Sequence, residues 1–445
     1  MSDASSVDVI LNQAREREKA YDWLDAAEFY RKALNLVPET DFLKLGQVQE
    51  KVGYASYRAA MQAENLNVFR DRMREAVADY EKAKEFYRMM SEPRKAPWML
   101  RCDAVVAFLG YWLASEVPEK KRLLDECWRL TKEALKCFEE ASDAGEYGKT
   151  FNQLSISAFL GFTLEWDFQA RERAMREAVE RGERSINLLS TFEDSYGLAK
   201  AYVKTATYLQ MFGSNFLDMD GRERYFQRAS GYWQKAIEFS EETAMLELLS
   251  TLGGPSWDWG WGSNKALCNF EKALEHGKMT KDNFIVGCAL EFLTMHTFWK
   301  AVAADDPSEG VELLKRALQY AEDAKLRYSS ISFISPIGDV LWVEAPLAEY
   351  YWMLASYETN LSKRRELLER ALEAGSDLLK RAENSGCPIN IQYGHHIFSK
   401  TLGFLAFVET NSEEKRRLLE KALGHRNESV PVSYTHLRAH ETGRN

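Results

Sequence analysis

The chain reads as all-α, an α-solenoid of stacked antiparallel helix pairs with a period of about 51 residues, on three observations. Segments recur at a fixed shift. Ala107-Phe108-Leu109-Gly110-Tyr111 returns as Ala158-Phe159-Leu160-Gly161-Phe162, and Leu367-Leu368-Glu369-Arg370-Ala371-Leu372 returns as Leu418-Leu419-Glu420-Lys421-Ala422-Leu423, each 51 residues on. A small residue falls once per unit, at Ala33, Ala83, Ala134, Ser185 and Ala236 with spacings of 50 or 51, then at Ala273, Ala317, Ala371 and Ala422 with spacings of 37, 44, 54 and 51. Finally, 25 Gly and 10 Pro in 445 residues are too few for a loop-rich β protein. A unit this short cannot bury its apolar face alone, so a fixed period implies stacking on neighbours.

Each unit divides into two helices, giving seventeen or eighteen in all. The second helix is amphipathic: after Arg364-Arg365-Glu366, apolar residues stand at 367, 368, 371, 372, 378, 379 and 382, one stripe at the helical period. The first helix is more apolar; residues 154–164 (LSISAFLGFTL) carry no charge, which suits a helix covered on several sides. Gly110 and Gly161 occupy equivalent positions inside first helices, where Gly costs about 1 kcal/mol against Ala, so close helix contact is expected at both. Pro118 and Pro307 are expected to open second helices, where a missing N–H costs nothing.

Charge and cysteine usage narrow the function classes. With 58 Lys+Arg against 68 Asp+Glu the net charge is −10, which argues against a nucleic-acid partner. Apparent basic runs such as residues 170–184 are neutralised by Glu172, Glu177, Glu180 and Glu183. Cys102, Cys127, Cys137, Cys268, Cys288 and Cys387 include no C-x-x-C pair, so neither a disulfide framework nor a zinc ribbon is expected. Met1 to Glu18 has no apolar stretch of signal-peptide length and no window is long and apolar enough to span a membrane. A cytoplasmic location with no membrane partner is the default expectation, and the oligomeric state stays open.

Residues 22–38, DWLDAAEFYRKALNLVP, resemble the second half of a tetratricopeptide repeat, with Ala26, Tyr30, Ala33 and Pro38 at that family's spacing. Leu109-Gly110 and Leu402-Gly403 resemble the Leu-Gly pair of its first helix. The resemblance marks residues 1–40 as a tetratricopeptide-like unit ahead of a continuous repeat over 41–428. It departs from the family in unit length, about 51 residues against about 34. It implies a right-handed superhelix that binds protein or peptide partners on its concave face. At the other end, Val432 to Thr442 (VSYTHLRAHET) resembles the translation of a transposase-type sequencing-library adapter. The natural reading is therefore expected to stop near Pro431, the gene fragment to be truncated, and residues 429–445 to form no packed element.

Three segments interrupt the repeat. In Gly253 to Asn264 (GGPSWDWGWGSN), Trp257, Trp259 and Trp261 alternate with Asp258 and Gly260, which in an extended loop would place three indoles on one side. They serve either as a plug where one repeat is short or as a ligand platform. Asn152, Gln153, Lys204, Glu291 and His296 on neighbouring first helices are the polar candidates for the same groove. Ser330 to Pro346 carries Asp339 and Glu344 near Trp342, a carboxylate pair beside an aromatic such as glycosidases use, although acidic residues are common throughout this chain. The adjacent His395 and His396 point about 100° apart on a helix and cannot chelate one metal together. The chain has no phosphate loop, dinucleotide fingerprint, nucleophile elbow or H-E-x-x-H motif. The expectation is a non-catalytic binding scaffold with a protein or peptide partner and no cofactor, metal or catalytic residue. An α/α toroid enzyme acting on glycans and a ligand-sensing regulatory domain are the alternatives.

Overall fold

The structure, a computed structural model, describes residues 3–91, 96–165, 167–191, 194–216, 219–259, 263–333, 343, 345–385 and 388–429. All the regular structure among these is helical. The first helices in order are α1 (Asp3–Lys19), α2 (Trp23–Leu34), α3 (Phe42–Met61), α4 (Leu66–Arg88), α5 (Ala96–Leu113) and α6 (Val117–Glu140). Then come α7 (Ala144–Leu154), α8 (Ile156–Leu164), α9 (Phe168–Leu189), α10 (Ser195–Phe216), α11 (Met219–Thr243) and the short α12 (Leu246–Leu249), which runs into a 3₁₀ helix, Ser250–Trp259. The remainder are α13 (Asn264–Thr280), α14 (Asn283–Val302), α15 (Pro307–Ser330), α16 (Ala345–Tyr357), α17 (Leu361–Ser385), α18 (Pro388–Val408) and α19 (Ser412–Ser429). The adapter-like tail from residue 430 onward, and Asp339, Trp342 and Glu344, lie outside the described residues.

α3 and α4 pack antiparallel, whereas α7 and α8, separated only by the helical Ser155, follow on from one another. Gly46 and Gly53 of α3 face the rings of Tyr87 and Tyr80 of α4, the one sequence rising as the other falls. The small residue predicted in each unit is buried every time: Ala33, Ala83, Ala134, Ser185, Ala236, Ala317 and Ala371 have no exposed surface, and Ala273 and Ala422 have 1% and 8%. Contacts between equivalent helices keep a constant offset. Arg101 with Glu146, Lys132 with Glu177, Glu139 with Arg184, Asn152 with Gly197 and Glu183 with Arg228 are all 45 residues apart. Glu358-Thr359-Asn360 recurs 51 residues on as Glu409-Thr410-Asn411, and each copy is a helix start. Asn360 Oδ1 accepts from the N–H groups of Ser362 and Lys363 at 3.0 and 3.1 Å, and Asn411 Oδ1 does the same for Glu413 and Glu414 at 3.0 and 3.1 Å. Pro118 and Pro307 stand in the first turns of α6 and α15 as expected. In the N-terminal unit Ala26, Tyr30 and Ala33 are buried in one cluster with Trp23, Leu45 and Val48, so α2 and α3 are tetratricopeptide-like in their packing as well as their spacing.

The chain forms two compact units, Met1–Trp259 with Asn269–Ala289 and Ser329–Phe333, and Gly260–Cys268 with Leu290–Tyr328 and Ile334–Asn445. Unit 1 closes on itself. Gln62, just past α3, donates to the carbonyl of Thr280 at 2.7 Å, and Asn283 donates to the carbonyl of Ala63 at 2.8 Å. Trp112 of α5 meets Phe284 and Phe333 with ring centroids 6.0 Å away in each case. In unit 2, Phe298, Leu314, Ala317, Tyr350 and Leu354 join α14, α15 and α16, while Leu368, Leu402, Leu405, Ala406 and Leu418 join α17, α18 and α19.

The two glycines singled out by the repeat differ. A Cβ on Gly110 would lie 3.3 Å from Leu123, a tight contact between α5 and α6, whereas on Gly161 its nearest neighbour would be Leu124 Cβ at 4.0 Å, which leaves room. Gly161 is therefore not at a close approach. The demanding positions are Gly53, 2.7 Å from the Tyr80 ring, and Gly182, 2.3 Å from Thr205 Oγ1. Gly53→Ala is expected to destabilise by about 1–3 kcal/mol through overpacking, and Gly161→Ala to stabilise by roughly 0.5–1 kcal/mol through helix propensity. Chemical denaturation of both variants checks the pair.

Candidate functional site

A charged and aromatic cluster lies between α3, α10, α12 and the start of α14, all within unit 1. α10 is otherwise uncharged, and its two lysines, Lys200 and Lys204, stand four residues apart and so share one face. Lys200 Nζ is 3.0 Å from Glu247 Oε1, and the Tyr196 hydroxyl donates to the same oxygen. Arg58 of α3 spans two carboxylates, with Nη1 3.5 Å from Glu247 Oε2 and Nη2 3.0 Å from Asp282 Oδ2. Asp282 also caps α14, its Oδ1 accepting from the N–H groups of Phe284 and Ile285 at 2.9 and 3.1 Å. The Glu247 N–H donates to the Tyr21 hydroxyl at 3.0 Å. Tyr21 itself adopts a φ of 60°, the left-handed region, which costs a bulky residue about 1–3 kcal/mol and is held here by contacts at both ends of the residue.

Aromatic rings border these charges. The Arg58 guanidinium lies 5.2 Å from the Trp23 ring, and Trp23, Tyr54, Tyr57 and Phe108 follow in edge-on or tilted contact at 5.7, 6.2 and 5.8 Å between centroids. Tyr54, Tyr57, Lys200 and Lys204 are half-buried, whereas the side chains of Arg58, Glu247 and Asp282 are only 13%, 7% and 6% exposed.

The electrostatics separate the five ionisable groups. Burial pushes the Glu247 carboxyl up, but Lys200 and Arg58 outweigh it and hold the pKa at about 2. Burial raises Asp282 in spite of Arg58 and its two backbone donors. Burial lowers Lys200 yet Glu247 and Tyr196 carry it well above the ordinary lysine value. Lys204 makes no hydrogen bond or ion pair among the described residues; burial first, then Lys200, bring its ammonium down to about 8. Three cations thus face two carboxylates that are already engaged, and Lys204 carries the uncompensated charge.

The sequence-derived groove is rearranged by this geometry. The backbone through Trp257 and Trp259 is a 3₁₀ helix, not the extended loop in which alternation would align indoles; Gly253 and Gly254 let it press on Phe270 and Trp233, where a Cβ would fall 2.2 and 2.4 Å from the rings. The indoles of Trp257 and Trp259, and all of Trp261, lie outside the described residues. Asn152 donates to the carbonyl of Gly197 at 2.8 Å and Gln153 to the Tyr80 hydroxyl at 2.7 Å, so both tie helices together within unit 1. Glu291 and His296 belong to unit 2. There Glu291 accepts from the Tyr328 hydroxyl at 2.6 Å, and burial lowers His296 to about 4, leaving it neutral in the core. Only Lys204 of the candidates joins the charged cluster. The sequence pattern does not single out Arg58, Tyr196, Lys200, Glu247 or Asp282; the one trace of them is the pair of lysines that are the sole charges of α10.

No protein-family model matches the chain, and no curated protein is similar to it in sequence. Among solved structures it is similar to a Rap protein complexed with Competence and Sporulation Factor, at 12% identity and a TM-score of 0.45 over 94% of this chain and 99% of that one. It is also similar to the apo form of RapI, at 13% identity and 0.43 over 95% and 97%, and to yeast Tom70, at 13% and 0.30 over 98% and 99%. The helical-repeat assignment rests on the helix pairs of the chain itself. No described helix is long and apolar enough to cross a membrane, and no group of three or more potential metal ligands occurs among the described residues.

Glu247 is the keystone of the cluster and its loss has a defined sign. Glu247→Gln leaves Arg58 and Lys200 facing an uncharged amide and should cost about 3 kcal/mol or more. Because the folded carboxyl sits below its unfolded value of 4.5, its contribution is complete above that pH and fades as pH falls toward about 2. Asp282, raised by burial, acts in the opposite sense. Denaturation of wild type and Glu247→Gln at pH 7 and pH 3.5 should show a smaller difference at the lower pH.

Proposed function

We propose that the protein is a non-catalytic scaffold that holds an extended, carboxylate-bearing protein or peptide segment against the α3–α10 face of unit 1. The observation that carries this reading is Lys204, a half-buried lysine that makes no ion pair or hydrogen bond among the described residues. A charge held partly out of water is costly until an opposite charge meets it, so a ligand carboxylate recovers energy there that no described residue supplies by direct contact. The half-buried rings of Tyr54 and Tyr57 offer flat, rigid contact area for the adjoining ligand residues at low entropic cost. Arg58, Lys200 and Glu247 brace one another and fix the surroundings of Lys204. No nucleophile and base are brought together in the cluster, and binding is the chemistry its parts perform.

The test is a fluorescence-anisotropy screen of acidic and neutral peptide libraries on the full chain. Acidic peptides should bind selectively, and Lys204→Gln should weaken them by roughly 10- to 100-fold, the worth of one charge-assisted contact, with the helical circular-dichroism signal unchanged. Raising the pH from 7 to 9 removes the proton from an ammonium that titrates near 8 and should weaken binding to wild type but not to Lys204→Gln. Equal binding of neutral and acidic peptides, or an unaffected Lys204→Gln, defeats the proposal.

A further inference from the structure

The two adjacent histidines of α18 each find a partner on α19, and both contacts demand an unprotonated ring nitrogen. His395 Nδ1 and His425 Nδ1 are 2.9 Å apart, so one carries the proton and the other accepts it. Arg426 Nη1 is 2.8 Å from His396 Nδ1, and a guanidinium has only donors, so His396 must accept. Phe398 stands edge-on to His425 at 4.7 Å, and the Ser399 hydroxyl donates to the carbonyl of Ala422 at 2.7 Å, completing the seam. The apolar part of the seam is narrow: the described buried residues of α19 are Leu418 and Ala422, packed with Leu402, Leu405 and Ala406, while Leu419 and Leu423 are 48% and 61% exposed. Its equivalent α17, one period earlier, buries Leu368, Ala371, Ala374, Leu378, Leu379 and Ala382.

We propose that the His395–His425 pair and the His396–Arg426 contact form an acid-sensitive latch that holds α19 on α18. A first proton on the pair can be shared across the 2.9 Å contact; a second sets two N–H groups and two charges against each other. A proton on His396 Nδ1 does the same against Arg426. The surrounding charges are Lys400 on α18, Lys421 and Glu428 on α19 and Glu383 on α17. Burial lowers His396, with Arg426 and Lys400 adding to it, and burial lowers His425, with His395 adding and Glu383 and Glu428 opposing. The undocked helix therefore takes up protons near 6.5 that the docked helix refuses, and docking weakens as pH falls through that value.

Hydrogen exchange of the full chain, followed by mass spectrometry and corrected for the intrinsic effect of pH, tests this between pH 7.5 and 5.5. The opening constant of α19 should rise about tenfold per pH unit for each proton linked to undocking, while α15 and α16 stay unchanged. The double variant His396→Gln, His425→Gln leaves only His395, facing a neutral amide, and should lose most of that slope. Should the double variant leave α19 open at every pH, nitrogen-detected imidazole titrations of the wild-type chain decide instead: His396 and one member of the pair must protonate below the free-histidine range. A wild-type slope of zero, an unchanged slope in a docked double variant, or ordinary titration of both His396 and His425 overturns the proposal.

Discussion

A residue with almost no side chain, buried once in every helix pair, sets the distance at which the pairs stack. Ala33, Ala83, Ala134, Ser185, Ala236 and their successors let a neighbouring backbone approach, and the larger residues around them fill what remains. The same logic is carried further in α3, where Gly46 and Gly53 lie directly under the rings of Tyr87 and Tyr80. Those rings are in turn held by polar ends, Tyr87 to Glu50 at 2.5 Å and Tyr80 to Gln153 at 2.7 Å. Close approach and polar anchoring are therefore coupled: a ring pinned at its hydroxyl cannot move away from a new methyl group.

Burying charge between such closely packed helices is expensive unless each group finds a partner. Arg101 is paired on both sides, its side chain 5% exposed between Glu50 and Glu146 at 2.7 and 2.6 Å and its guanidinium over the Trp98 ring at 4.5 Å. In the cluster around Glu247, Arg58 Nε and Nη2 and Glu247 Oε2 are buried without a well-formed hydrogen bond, and Lys204 makes no ion pair among the described residues. The Arg101 network joins the neighbouring helices α3, α5 and α7, whereas the Glu247 cluster joins α3 to α10, α12 and the start of α14.

The sequence by itself determined the helical class, the pairing, the small-residue anchors and the helix starts, because these depend on neighbours a few residues away or one period away. The Glu-Thr-Asn triplet and Pro118 and Pro307 were legible for that reason. Gly161 misled because Gly110 and Gly161 are equivalent in the repeat but not in what faces them, and only packing distinguishes Leu123 at 3.3 Å from Leu124 at 4.0 Å. The tryptophan alternation did not reveal the local backbone, because period-two spacing identifies a face only in an extended segment and the backbone through Trp259 is a 3₁₀ helix. The charged cluster was decided by tertiary structure alone. It requires α3 to meet residues near 247 and 282, separations of about two hundred residues, and that meeting follows from how many small rotations accumulate along unit 1. No local pattern encodes such a sum, so Lys200 and Lys204 could be seen on one helix face while the groups they face could not.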